Sequence, residues 1–346
     1  TMVRAGGIVL TKRAPIGQLA LLGLDACSNQ GCFLLSAREG IEPRFSYYVL
    51  GNSVSLLQAL GRGSTFMELS TDDLKALRVP VLNHQHQIAI ADFLDRETAR
   101  IDELVATKQR LLHLLAEKRK AIIATAVTRG LDPTVRLSDS GVPWLGEIPA
   151  HWEIERTRWL FRERDQRGEP ELPLMEVSIA TGVTVREFSE DRIEGTAADF
   201  GTYKVARRGD IAFNKMRMWQ GAVGVVPTDG LVSPDYVVAE PTGGMMPEYA
   251  GLLFRTPAFS AECGRRSHGL TWDRLRIYWE EFREIELPAP PLEEQHAIVA
   301  HIARETAKLD AVRAATERTI SLLKERRAAL IAAAVTGQLD VTRSAA

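Results

Sequence analysis

Two stretches of this chain carry the same helical pattern. Residues 85–127 contain neither proline nor glycine, and apolar side chains recur at Ile90, Phe93, Leu94, Ile101, Leu104, Leu111, Leu115, Ile122 and Ala126. Gaps of three, four and seven put these on one face of a helix, about 65 Å long at ~1.5 Å per residue. Gly130 and Pro133 end it, and a break is expected near residues 96–99. A second stripe runs through Ile298, Ile302, Leu309, Val312, Ile320, Leu323, Leu330 and Ala334 and stops at Gly337. Stripes of similar length are expected to bury against each other with the helices antiparallel, through Leu104, Leu111, Leu115, Leu309, Ile320 and Leu323. Lys108, Thr316 and Arg327 interrupt strict heptads, so the pair is a loose coiled coil.

The two stretches are copies. Residues 80–132 return without a gap as 288–340, and about 23 of the 53 positions are identical. Arg96-Glu97-Thr98-Ala99 matches Arg304-Glu305-Thr306-Ala307, and Ala126-Val127-Thr128 matches Ala334-Val335-Thr336. This period is too long for a solenoid. It describes a duplicated module in which a recognition domain precedes each long helix, a two-armed reader with a rigid spacer.

Between the helical stretches the pattern changes. In residues 1–79 the runs Gly7-Ile8-Val9-Leu10 and Leu19-Ala20-Leu21-Leu22 read as strands, separated by the turn Ala14-Pro15-Ile16-Gly17. Helices are expected over 45–59 and 71–77, the second capped by Ser70 or Thr71 with Asp72 and Asp73 in its first turn. Residues 133–152 form a linker rich in Pro, Gly and Ser. Residues 153–287 read as mixed α/β, with strands over 174–178, 209–214, 222–226 and 236–240 and helices over 247–254 and 279–282. The repeat extends weakly here: residues 6–13 resemble 209–216, and 63–66 resemble 269–272. Residues 1–79 then correspond only to the distal half of a domain that is complete at 142–287. The fold expected is α+β: mixed α/β recognition domains at 1–79 (partial) and 153–287, alternating with helical spacers at 80–132 and 288–346.

Composition adds limits. A net charge of −2 confines any basic surface to local segments. Cys27, Cys32 and Cys263 have neither disulfide-framework nor zinc spacing, which fits a reducing, cytoplasmic setting. No run approaches the ~20 apolar residues that span a bilayer, and no signal peptide is visible. Met2, behind a leading Thr1, reads as an initiator.

Catalytic signatures are missing. There is no Gly-rich turn after a strand and no Gly-x-x-x-x-Gly-Lys loop. Ser233-Pro234-Asp235-Tyr236 departs at two positions from the Asn/Asp-Pro-Pro-aromatic motif of amino-methyltransferases and reads as a turn entering a strand. His84-Gln85-His86 lacks a carboxylate or cysteine at ligand spacing and reads as a solvated helix start. A non-enzymatic chain without cofactor or metal is expected.

Two basic segments carry aromatic and amide side chains. The first holds Lys204, Arg207, Arg208, Lys215, Arg217, Trp219 and Gln220 against Asp210. The second holds Arg255, Arg265, Arg266, His268, Trp272, Arg274 and Arg276 against Glu262 and Asp273. Their counterparts in the first domain are Lys12, Arg13, Ser28, Asn29, Gln30 and Arg62. Arg and Lys suit phosphates and guanine edges, and Asn and Gln suit adenine. Charge runs are ordinarily solvated faces, but these lie in loops, contain Trp and Gln, and recur in a duplicated module.

The chain resembles the DNA-specificity subunits of Type I restriction–modification systems. The residues concerned are Leu287-Pro288-Ala289-Pro290-Pro291-Leu292-Glu293-Glu294-Gln295, Arg304-Glu305-Thr306, and their first copy from Phe93 to Asp102. Ser140-Gly141-Val142-Pro143-Trp144-Leu145-Gly146-Glu147-Ile148-Pro149 with His151-Trp152 is similar to the family's entry into a target recognition domain, and Asn214-Lys215-Met216-Arg217-Met218-Trp219-Gln220-Gly221 to a run inside one. The resemblance implies a non-catalytic subunit whose two target recognition domains read the halves of a split target in double-stranded DNA. It also implies partners: DNA methyltransferase subunits docked on the paired helices, and a restriction/translocase subunit. The chain departs from the family in its short first domain. That puts half-site reading by residues 1–79 in doubt and points to truncation or to self-association. The rival reading is an adaptor remnant that binds methyltransferase subunits without reading DNA.

Overall fold

The computed structural model describes residues 2–13, 15–62, 67–80, 82–186, 200–269, 271 and 275–341. They divide into two units, residues 1–113 with 313–346, and residues 114–312. Two long helices contribute to both.

In the first unit, Ile8–Thr11 is the central strand of a three-stranded antiparallel sheet, between Leu19–Leu21 and Cys32–Leu35. Helix α1 (Pro43–Asn52) starts with proline at its first turn, where the missing N–H costs nothing. A helix was expected through residue 59. Instead α1 stops at Ser53, whose N–H and Oγ donate to the Leu50 and Val49 carbonyls, and α2 (Val54–Leu60) follows. Such side chain–backbone bonds compete with helix continuation. Helix α3 (Thr71–Lys75) is capped as expected: Ser70 Oγ accepts from the Asp73 N–H at 3.0 Å. Helix α4 (His84–Arg129) runs 46 residues without the expected break. Thr98 Oγ1 donates to the Leu94 carbonyl within it at 2.6 Å.

In the second unit, Ile211–Asn214 lies in a four-stranded antiparallel sheet of order Val223–Val225, Ile211–Asn214, Tyr236–Pro241, Phe161–Glu163. Helices α5 (Thr157–Leu160), α6 (Pro247–Phe254), α7 (Pro257–Arg266) and α8 (Trp279–Phe282) surround a core of Phe161, Phe213, Phe254, Phe259 and Phe282. Cys263 is wholly buried in it, and burial pushes its thiol pKa well up. Helix α9 (Leu292–Val335) spans 44 residues. Gly130 and Gly337, past the ends of α4 and α9, take the left-handed conformation (φ 73° and 76°) that closes helices.

The long helices pack against each other and run antiparallel. In the first unit Ile90, Ala91 and Leu94 meet Ala334 and Val335, while Asp102, further along α4, pairs with Arg327, further back along α9. In the second unit Arg119 pairs with Asp310, and Ala126 and Val127 share a core with Ile298 and Ile302. Leu111, Leu115, Leu309 and Leu323 are half-buried and Ile320 is buried. Leu104 differs from expectation: it is 45% exposed. No helix among the described residues is long and apolar enough to cross a membrane.

The repeat goes deeper than the helices. The sheet registers Ile8↔Leu35 and Ile8↔Leu21 recur as Ile211↔Ala239 and Ile211↔Val225. Gln87, 2% exposed, accepts from the Glu42 N–H at 2.9 Å and donates to the Gly40 and Leu82 carbonyls. Gln295, fully buried, accepts from the Met246 N–H at 2.8 Å and donates to the Gly244 and Pro290 carbonyls. One buried amide thus ties the start of a domain helix to the start of a long helix in each unit.

Candidate nucleic-acid interface

The strand Ile211–Asn214 separates the first basic segment into two clusters. Three steps of ~3.3 Å set its end residues about 10 Å apart. At the leading end, Lys204 is 4% exposed and its Nζ meets Glu163 at 3.2 Å and Asp165 at 3.0 Å. Arg207 pairs with Glu169 and Asp229. Asp210 accepts from Arg164 Nε and the Arg207 N–H, yet burial holds its pKa above the usual carboxylate range. Only Arg208 is exposed here with a guanidinium that makes no ion pair among the described residues.

At the trailing end the loop 215–220 is held from below. Asn214 Oδ1 accepts from the Met216 N–H at 2.9 Å, Met218 is wholly buried, and Gly221 turns the chain at φ 88°. Lys215 Nζ donates to the Pro234 carbonyl at 3.1 Å and lies 5.8 Å from the centre of the Tyr278 ring, a cation–π distance. Trp219 Nε1 donates to the Met216 carbonyl at 3.0 Å. Arg217 and Gln220 are left exposed.

Two further pieces meet this loop. Helix α7 packs on it through Gly264, where a Cβ would stand 3.5 Å from Trp219 Cβ. The backbone bridge between His268 and Arg276 also joins it: the Ile277 N–H donates to the Lys215 carbonyl at 3.0 Å, and Arg276 reaches Met216 Sδ at 3.6 Å. The fold therefore brings Lys215, Arg217, Trp219, Gln220, Arg265, Arg266 and His268 together and leaves Lys204, Arg207 and Arg208 at the other end of the strand. Trp272 lies outside the described residues. Arg276, already part of the second basic segment, joins the face, and so does Tyr278, which the sequence reading did not single out; the alternation around Ile277 was the available signal.

Charge on this face is pre-arranged. Glu262, 5% exposed, accepts from Arg265 through both oxygens at 2.7 Å and also from Arg266 Nε. Burial alone would raise the Glu262 pKa, but the two guanidinium groups outweigh it and the net shift is downward. Arg265 keeps 67% of its side chain in solvent and is aimed without being hidden. His268 Nε2 lies 3.0 Å from Glu281. Arg255 is structural: its Nη2 donates to the Ile179 and Ala180 carbonyls, and burial lowers its pKa.

The first unit offers less free charge. Lys12 and Arg13 both pair with Glu68, at 2.8 and 3.1 Å, and Lys12 stands 5.6 Å from the Phe33 ring centre, much as Lys215 does over Tyr278. Those bonds, Lys12 first, hold Glu68 below the usual carboxylate range. Asn29 Oδ1 accepts from the Gly31 N–H at 2.8 Å, and Gln30 is exposed beside it. Among the described residues no group of three or more His, Cys, Asp or Glu is placed to hold a metal.

Residues 3–113 match the family described as the Type I restriction modification DNA specificity domain. The chain thus resembles the specificity subunits of Type I restriction–modification systems. Relatives are similar along most of its length. The EcoDI specificity subunit of Escherichia coli is 22% identical over 86% of this chain and 70% of its own. The MjaIX specificity subunit of Methanocaldococcus jannaschii is 24% identical over 97% and 78%. The fold of this chain is also that of the HsdS subunit from Thermoanaerobacter tengcongensis, with a TM-score of 0.54, 19% identity and coverage of 98% and 82%. A chain from structural work on complex assembly and conformational transition of the type I R-M system gives a TM-score of 0.66, 18% identity and coverage of 98% and 84%.

Proposed function

We propose that this chain is a Type I specificity subunit, a non-catalytic, sequence-specific reader of double-stranded DNA that directs methyltransferase and restriction subunits to a bipartite target. The carrying observation is the doubled frame: each unit repeats the same three sheet strands in the same register and ties a domain helix to a long helix through the same buried glutamine. In the second unit Arg217, Gln220 and Arg265 supply the DNA face, with exposed donors for base edges and phosphates. In the first, Lys12, Arg13, Asn29 and Gln30 hold the corresponding place. The reading sets the subunit in the cytoplasm, where its substrate DNA is.

The paired helices would receive the methyltransferase subunits. Each unit exposes a matched apolar pair on them: Leu104 and Leu322 in the first (45% and 59%), Val312 and Leu114 in the second (46% and 63%). Leu104 and Val312 are repeat equivalents, as are Leu114 and Leu322. Large apolar side chains left in water at equivalent places favour a protein partner over chance.

A second reading, an adaptor that holds methyltransferase subunits without reading DNA, draws support from the first unit, where Glu68 neutralises both candidate cations. Methylation mapping of a host genome carrying this subunit and its partner methyltransferase decides between them. A split recognition sequence supports the DNA reader. Complex formation with no dependence of methylation on sequence rejects it.

A further inference from the structure

The two units differ where a domain helix meets the long helices. Helices α1 and α6 align from their first prolines, Pro43 and Pro247, so Tyr47, Tyr48 and Gly51 correspond to Gly251, Leu252 and Arg255. On the long helices, Asp95, Thr98 and Arg327 correspond to Ala303, Thr306 and Arg119.

In the first unit two rings and a carboxylate occupy this place. Tyr48 is 5% exposed; its hydroxyl donates to Asp95 Oδ1 at 2.7 Å and lies 3.2 Å from Thr98 Oγ1. Tyr47 packs edge-on against it, with ring centres 5.4 Å apart. In the second unit glycine, leucine and alanine stand where Tyr47, Tyr48 and Asp95 stand in the first. A cavity of about 360 Å³ lies there, walled by Ile123, Val183, Val225, Leu252, Val299 and Ile302. That volume is within the range of small-molecule sites.

The same exchange changes the charge. A carboxylate is lost at Ala303 and a guanidinium is gained at Arg255. Arg255 Nη2 is held by the Ile179 and Ala180 carbonyls at 2.7 and 2.8 Å. Its Nη1 lies over Gly182, where a Cβ would stand only 2.9 Å away. Arg255 makes no ion pair among the described residues, and burial, then the charge of Arg119, lower its pKa. Arg119 is itself neutralised by Asp310. Glu248, the one acid on the cavity wall, stands seven residues before Arg255 on α6, about 10 Å away along the helix axis. An apolar cavity with a fixed, uncompensated guanidinium at one end suits an apolar anion, because the arginine fork takes a carboxylate through two bonds.

We propose that this cavity of the second unit binds a small aromatic carboxylate, with its ring against Leu252, Val225 and Ile302 and its carboxylate on Arg255. The ligand restores the ring and the negative charge that Tyr48 and Asp95 supply in the first unit. The site shares no residue with the DNA face and stands or falls apart from DNA reading.

The probe is 1-naphthylacetate, with neutral 1-naphthylacetamide as control, titrated calorimetrically into the full chain. The acid should bind saturably and about tenfold more tightly than the amide, the worth of a charge-assisted contact. Arg255→Gln should bring the acid down to the affinity of the amide. Leu252→Tyr with Ala303→Asp, the first unit's own filling, should abolish binding of both. Circular dichroism checks that each variant remains folded; the first unit already folds around the tyrosine–aspartate pair. Absence of saturable binding overturns the proposal, as do equal affinities for acid and amide. Undiminished binding of the acid by either variant overturns it equally.

Discussion

Arg327 donates to Asp102 across the two long helices, with Nε to Oδ1 at 2.9 Å. The repeat equivalents of these residues, Arg119 and Asp310, make the same pair with the roles of the helices exchanged, at 2.7 Å. One duplicated Asp–Arg spacing therefore serves both units, because an antiparallel partner presents the aspartate of one copy to the arginine of the other.

Both pairs are largely solvated, so they should set register more than stability. A double-mutant cycle on Asp102→Ala and Arg327→Ala should give a coupling of about 0.2–1 kcal/mol. Coupling beyond ~2 kcal/mol would mean that the pair is far less hydrated than its exposure implies.

The glutamine clamps should matter more. Replacing Gln295 by Ala strands the Met246 N–H and two carbonyls in a dry site. Each unsatisfied group costs ~1–3 kcal/mol, and water entering the cavity left behind recovers part of it. Urea unfolding should show a loss of about 2–4 kcal/mol. Gln87→Ala should produce a similar loss reported by probes in the first unit.

Glu262 gives a pH signature. Its folded pKa lies below the unfolded value of ~4.3, so its pairing stabilises the fold above that pH and is lost as pH falls through the folded value. Glu262→Gln should cost roughly 1 kcal/mol near pH 7, and the gap to the parent should close below about pH 4. A gap that widens on acidification would show that the sign of the shift is wrong.

On the DNA face, Arg265→Ala should weaken binding to all duplexes alike and lower the slope of log affinity against log salt by about one. Arg217→Ala should relax specificity at one base pair by ~1–3 kcal/mol. Unchanged affinity and methylation pattern after both substitutions, with Lys215→Ala and Gln220→Ala added, would remove this surface from consideration.

If the target is bipartite, the helices set its spacer. Adding one heptad to the middle of both α4 and α9, ~10.5 Å of rise, should lengthen the non-specific gap in the mapped methylation site and leave both half-sites intact. Altered half-sites with a fixed gap would reject the spacer role.

The long helices were legible because a 3.6-residue period and the absence of proline and glycine are local facts. Leu104 was misjudged by the same rule. A straight helix drifts ~20° per heptad relative to a heptad seam, so an apolar residue that keeps the spacing can still leave the contact. Ser53 ended a helix through its own hydroxyl, which the apolar pattern does not register. The basic segments were legible as composition only. Lys204 is held by Glu163 and Asp165, some forty residues away in the chain, and only the folded sheet sets them beside it.

The burial of Cys263 gives the second unit an internal clock. Cys27 is exposed and Cys32 half-exposed, so an alkylating reagent reaches them in the native protein, whereas Cys263 reacts only when α7 leaves the aromatic core. With Cys27 and Cys32 replaced by serine, the rate of thiol modification at Cys263 counts openings of that core. It turns a silent sulfur into a direct reading of how often the unit breathes, with DNA absent or bound.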